Sequence, residues 1–248
     1  MKHIIMIFIY CFSFSALAGE GNVKIIPEGR FAPMYGIEKD QKDFLVKSFK
    51  LDVYPVTVEE FNNFLKSNNE WNKEKILSIY ADKSYLAKKN EVNKSPIVYI
   101  SWFAANAYCE TKKGRLPSTL EWEFVAAASE LLKDGTKVDS FIDKILTWYS
   151  SPEVEEVIKV IGKEKPNFYG IHDLHGLIWE WTGDFNSVIM TSDSRDDGDK
   201  QKGLYCGAGS IVARNKEDYA AFVRYSLRSS LKANYTLTNL GFRCAYDL

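Results

Sequence analysis

Two carboxylates in one glycine-punctuated aromatic run are the first candidates for chemistry. In Asn167-Phe-Tyr-Gly-Ile-His-Asp-Leu-His-Gly-Leu-Ile-Trp-Glu-Trp-Thr182, Glu180 stands between Trp179 and Trp181, and Asp173 precedes it across a bend at Gly176. If Trp-Glu-Trp is extended, the two indoles share one face and the acid points from the other. A carboxylate set among such bulk is costly to bury unless it is paired, hydrogen-bonded or bound to a metal. Asp173 is therefore a candidate second oxygen ligand. The indoles themselves read equally well as core packing.

Sulfur and imidazole are scarce. Lys2 and His3 precede an apolar run from Ile4 to Phe14, and Ala16-Leu-Ala18 has a small-x-small pattern. Residues 1–18 thus read as a cleavable secretory signal and 19–248 as one domain, periplasmic or secreted. The apolar run is too short for a comfortable span, so no membrane span is expected after cleavage. Cys11 leaves with the signal, and Phe8-Ile-Tyr10 before it lacks the small residues that lipid attachment needs. Cys109, Cys206 and Cys244 remain, which in an oxidising compartment means one disulfide and one odd thiol. His172 and His175 have helical spacing for a shared metal, but the glycine-broken segment argues against a helix. Asp193, Asp197 and Gly198 outline part of a calcium loop. Arg195, however, sits where an oxygen is needed and no closing Glu follows, so a solvated loop is the better reading.

These groups need a scaffold. With 46% hydrophobic and 26% charged residues the composition is globular, and a net charge of -1 with scattered lysines argues against nucleic acid as a partner. Val23 to Phe31 alternates and then turns, predicting a strand and hairpin, and Phe49 to Tyr54 predicts another strand. Thr57-Val-Glu-Glu60 has capping-box spacing ahead of Phe61, Phe64 and Leu65, which predicts a short amphipathic helix. Ser67 to Ser95 reads as an irregular surface excursion. Pro96 to Ile100 predicts a compact strand, after which Ser101 caps a helix carrying Trp102, Ala105, Tyr108 and Cys109 up to Gly114. Ser118-Thr-Leu-Glu121 opens a second capped helix through Trp122, Phe124, Val125 and Ala128. Lys133 to Lys165 is mixed and charged, with a candidate helix at Val154 to Ile161 and no evident chemistry. Beyond the polar stretch from Asn186 to Lys202, Gly207 to Ser210 bends the backbone, and Ala221 to Leu227 predicts a strand.

Six ordered motifs together carry a resemblance. They are Pro96-Ile-Val-Tyr-Ile-Ser-Trp102, Ala107-Tyr-Cys109, Gly114-Arg-Leu-Pro-Ser-Thr-Leu-Glu-Trp-Glu-Phe124, Tyr169 to Thr182, Gly207-Ala-Gly-Ser210 and Asn239-Leu-Gly-Phe-Arg-Cys244. In this order they resemble the formylglycine-generating enzyme, or sulfatase-modifying factor, family over roughly Val23 to the C-terminus. The resemblance implies an α+β, modified C-type-lectin-like domain rich in irregular structure. Fold does not settle function, because similar proteins include cysteine oxidases, iron-dependent sulfoxide synthases, periplasmic siderophore-maturation proteins and ligand-binding receptors.

The family's oxidases hold copper and the substrate cysteine with a cysteine pair shortly after the glycine turn. The matching positions here fall near Ala213 and Ala220, so no copper is expected. Nor is iron, since the sulfoxide synthases' histidine cluster has no match. The resemblance implies a disulfide between Cys109 and Cys244, and structural Ca²⁺ at Asp173, Gly176, Ile178 and Glu180, although the family's Asn after the glycine is Leu177 here. It leaves a groove under the glycine turn with Cys206, Ser210, Arg224 and Arg228 as candidate ligand-binding residues. The arginines would hold an anion by bidentate hydrogen bonds, or else be strand residues facing solvent. Cys206 reads as a small buried hydrophobe ahead of a displaced reactive thiol. The expected function is that of an accessory or maturation factor binding a peptide or small molecule. The alternative is a divergent metal-dependent oxidoreductase of the formylglycine-generating type.

Overall fold

Alternation of buried and solvent-facing residues decides the central strand. In the computed structural model, which describes residues 22–33, 43–87, 92–151, 158–186 and 216–248, Phe49 and Leu51 of Phe49–Asp52 are buried while Lys50 and Asp52 are less so. Numbering strands in chain order, this is β4, after β1 (Val23–Ile26), β2 (Gly29–Phe31) and β3 (Phe44–Val46). β4 is the middle of a three-stranded antiparallel sheet, with β1 on one side and β7 (Ala245–Tyr246) on the other. β2 pairs with β3 instead. The hairpin expected within Val23 to Phe31 is therefore corrected: its two strands exist but belong to different sheets.

Both capping boxes form. Thr57 Oγ1 accepts from the Glu60 amide and Glu60 returns to the Thr57 amide, starting α1 (Val58–Ser67). Ser118 and Glu121 do the same for α3 (Thr119–Ala126). Each box satisfies amides that no helical carbonyl can reach. Between them Ser101 caps α2 (Trp102–Thr111), which ends before Gly114. Gly114 is glycine for a different reason: a Cβ there would lie 2.6 Å from the Tyr246 ring and 2.7 Å from the Ala245 carbonyl. Ser67 to Ser95 is irregular but not all surface, since Tyr85 is buried and donates its hydroxyl to the Trp71 carbonyl at 2.9 Å.

Three further expectations are corrected. Pro96 to Ile100 is no strand, because Tyr99 takes a φ of 57° and the amides of Ile97 and Tyr99 bond to separate segments, at Val56 and Leu237. Lys133 to Lys165 contains α4 (Asp139–Ser150), whose Ile142 and Ile145 are buried. The candidate helix at Val154 to Ile161 lies partly outside the described residues, and residues 158–161 are not helical. Ala221 to Leu227 falls within α5 (Lys216–Ser230), so β-branched and aromatic composition there misled. Near the C-terminus β6 (Leu240–Gly241) runs parallel to β5 (Trp179–Glu180). Gly241 leaves no room for a side chain, because a Cβ there would sit 2.3 Å from the Ile97 carbonyl oxygen, in the segment packed against β6.

Among the described residues, two large apolar clusters make up most of the interior. One gathers Phe61, Phe64, Tyr108, Trp181 and Phe242; the other gathers Ile26, Phe49, Leu51, Trp122 and Ile171. The Cys109–Cys244 disulfide ties α2 to the segment leading into β7, with Cα atoms 5.5 Å apart across a sequence separation of 135. Closing a loop that long stabilises by about 5 kcal/mol in the chain-entropy account. The result is an α+β fold with much irregular structure, and among the described residues no helix is long and apolar enough to cross a membrane.

Candidate functional site

Parallel pairing of β5 with β6 brings Glu180 beside Arg243, just after β6. Both side chains are fully buried, and they meet at 2.8 Å. Arg243 donates Nε to both Glu180 oxygens, at 3.1 and 2.9 Å. It spends its remaining donors on Glu180 again and on the carbonyls of Asp52, Val53 and His172. Trp122 Nε1 adds a hydrogen bond to Glu180 Oε2 at 2.8 Å. Such a pair is tolerable in the interior only because its donors and acceptors are satisfied in this way.

The indole of Trp122 connects this buried pair to a second one on the outer side of α3. Arg228 of α5 lies over the Trp122 ring, its guanidinium carbon 4.7 Å from the centroid. Arg224, one turn earlier, forks onto Glu123 through Nε and Nη2 at 2.7 to 2.9 Å and gives Nη1 to the Tyr149 hydroxyl at 3.0 Å. Arg228 gives only Nη1 to Glu123, at 2.6 Å. Arginines four apart share one helix face, so helix α5 presents both to the single carboxylate of α3. Burial alone would push the Glu123 carboxyl up, but Arg224 and Arg228 outweigh it and hold it at about 2. One carboxylate balances two guanidinium groups here, which leaves one positive charge in excess.

A cavity of about 840 Å³ opens against this cluster, between α3, α4, α5 and the β2 to β3 region. Glu123, Arg224 and Arg228 line it, together with Phe124, His175 and Ala220. Three other acids on its wall have partners. Asp43 is paired with Arg30 and Glu217 with Lys137, while Asp184 accepts from the Thr119 amide and hydroxyl. Arg228 differs: its Nε and Nη2 make no protein hydrogen bond among the described residues. These two N–H groups form the side-on edge of a guanidinium that takes a carboxylate bidentately.

The sequence-predicted residues separate into three groups. Arg224 and Arg228 come together, but on a helix rather than a strand: all three Arg224 nitrogens are engaged by Glu123 and Tyr149, whereas Arg228 gives Glu123 only Nη1. Cys206 and Ser210 lie outside the described residues. Asp173, Gly176, Ile178 and Glu180 share one turn and strand, and this donor set as arranged does not fit a calcium ion. Both Glu180 oxygens face a guanidinium, and Asp173 Oδ2 accepts from the Gly162 amide at 2.6 Å. Hard cations need oxygen donors free of competing positive charge, whereas Arg243 already supplies the charge that Glu180 balances. Burial raises the Asp173 carboxyl above its usual range.

Sequence reasoning missed Glu123, Tyr149 and the part His175 plays. For Glu123 a signal existed: a carboxylate between Trp122 and Phe124 invites the burial argument made for Glu180. For Tyr149 the signal was helical spacing of Phe141, Ile142, Ile145 and Tyr149.

Comparison with known proteins agrees with the six motifs. A family model described as sulfatase-modifying factor enzyme 1-like domain matches residues 18–248. The formylglycine-generating enzyme of Mus musculus is 27% identical over 181 residues, covering 67% of this chain and 47% of that protein. The inactive C-alpha-formylglycine-generating enzyme 2 of Bos taurus is 23% identical over 265 residues, covering 88% of this chain and 82% of that one. Among solved structures, PvdO from Pseudomonas aeruginosa superposes with a TM-score of 0.54 at 18% identity, covering 91% of this chain and 94% of that chain. The chain spans about a third to a half of the length of the first curated relatives it matches.

Proposed function

Because the chain belongs to the sulfatase-modifying factor enzyme 1-like family, we propose that it is an exported member that has exchanged the family's oxidase chemistry for binding, and that it acts as an accessory or maturation factor holding a carboxylate-bearing peptide or small molecule in the cavity beside Arg228. The observation that carries this reading is the Nε and Nη2 edge of Arg228, which makes no protein hydrogen bond among the described residues, on a wall where Asp43, Glu123, Asp184 and Glu217 all have partners. Ala220, near the position of the family's second oxidase cysteine, is buried against Ile142 and Ile145 of α4. A methyl group there cannot ligate copper, which takes thiolate or thioether sulfur. The inactive relative supports the loss of oxidase chemistry, as its name says of that protein. A volume near 840 Å³ is in the range of sites that enclose small ligands.

The test is calorimetric titration of the mature chain with N-acetyl-phenylalanylleucine as the free acid and as its C-terminal amide. The acid is expected to bind at least tenfold more tightly, since a charge-assisted bidentate contact contributes about 1.5–3 kcal/mol. Equal affinities would contradict the reading. So would copper-dependent aldehyde formation on a sulfatase-type cysteine peptide.

A further inference from the structure

The loop between the two carboxylates of the aromatic run contributes one buried polar atom that no group among the described residues satisfies. His175 Nε2 lies 2.9 Å from the Ala126 carbonyl, so Nε2 carries the proton and donates. Its other ring nitrogen, Nδ1, is then a bare acceptor, shielded from solvent and without a hydrogen-bond partner among the described residues. Buried acceptors are almost always paired, and an exception points to a water, ion or ligand group as the partner. Among the described residues no hydrogen-bond donor meets this one. The ring instead packs edge-on to Trp122 and Phe141, at centroid distances of 5.7 and 5.9 Å.

The position of this imidazole gives the acceptor a context. His175 lines the large cavity and also a neighbouring one of about 450 Å³, and Ala126, Phe141 and Ile145 line both as well. The ring thus stands at the partition between the two. Arg228 lies over the same Trp122 indole that His175 meets, so the guanidinium and the imidazole are within about 10 Å of each other. Two hydrogen-bonding groups of opposite kind, each without a partner there among the described residues, flank one aromatic ring: a donor edge on Arg228 and an acceptor on His175.

We propose that His175 is a specificity-determining residue of this cavity, whose Nδ1 accepts a hydrogen bond from an N–H or O–H of the same ligand whose carboxylate lies on Arg228. The inference rests on the reading of the cavity as a carboxylate site and narrows it to a class. Peptide C-termini and other acids carrying a donor within about two residues of the carboxylate fit; simple fatty or aromatic acids do not. Burial, with Arg224 adding to it, lowers the His175 pKa to about 4, which keeps the ring a neutral acceptor at neutral pH.

The experiment compares two acids on the wild-type chain by calorimetry. One is N-acetyl-phenylalanylleucine; the other is its analogue with ester oxygens replacing both N–H groups. One lost hydrogen bond to a buried acceptor predicts about fivefold to tenfold weaker binding of the ester acid. His175→Leu should abolish that preference while keeping the preference for acid over C-terminal amide. His175→Gln, which retains an acceptor, should restore the preference and serves where the leucine variant fails to fold. If wild type prefers the acid over the amide but binds amide and ester acids equally, this inference falls and the carboxylate site stands. If neither acid binds better than the C-terminal amide, both fall together.

Discussion

Glu123 and His175 sit on the same cavity wall, and each is held against its ordinary protonation behaviour in a separate pH window. Glu123, at about 2 in the folded chain against about 4.3 ordinarily, contributes stability above pH ~4.3 that is lost as pH falls toward 2. His175, at about 4 against about 6.5 ordinarily, is buried neutral, so its contribution is present above pH ~6.5 and is lost between there and 4. Asp52 opposes it. Burial pushes its carboxyl up to about 6, so folding takes up a proton there and stability rises as pH falls from about 6 toward 3.9. Melting temperature measured from pH 7.5 to 3 should therefore fall less between 6.5 and 4 in His175→Gln than in wild type. Parallel curves for the two proteins in that window would contradict the buried neutral imidazole. At pH 7, Glu123→Gln should cost about 3 kcal/mol in denaturant unfolding, because it strands two partly buried arginines. A cost under ~1 kcal/mol would mean that the ion cluster is already solvated.

What the sequence made legible depended on whether the deciding contact was local. Both capping boxes are four-residue patterns, and both formed at the predicted residues. The strand predicted at Ala221 to Leu227 became part of α5 because the deciding contacts, from Arg224 and Arg228 to Glu123, lie about a hundred positions away. The burial argument for Glu180 left pairing, hydrogen bonding and metal binding open, and the choice among them was equally non-local: the acid is paired with the guanidinium of Arg243, on the strand end beside β5. With that site closed by Arg243, melting curves in millimolar calcium and in chelator should coincide. A rise of several degrees in calcium, abolished by Glu180→Gln, would show that the guanidinium yields to the metal and would restore the calcium site.

At the scale of the whole molecule, two polar groupings among the described residues are joined through Trp122. Glu180 and Arg243 occupy the interior; Glu123, Arg224 and Arg228 face the cavity; and Trp122 touches both, by its N–H on one side and its ring face on the other. Helices capped at α3 and paired by charge at α5 hold the cavity-facing layer, so the Arg228 edge proposed to take a carboxylate is positioned by contacts within the protein. Preorganisation of this kind lowers the ordering cost of binding. The most direct test is a crystal structure of the mature chain with N-acetyl-phenylalanylleucine. The account predicts the ligand carboxylate on the Nε and Nη2 edge of Arg228, with both oxygens at about 2.7–3.0 Å, while Arg228 Nη1 stays on Glu123. A carboxylate bound elsewhere, or an Arg228 whose free edge is closed by the protein's own groups, would contradict it.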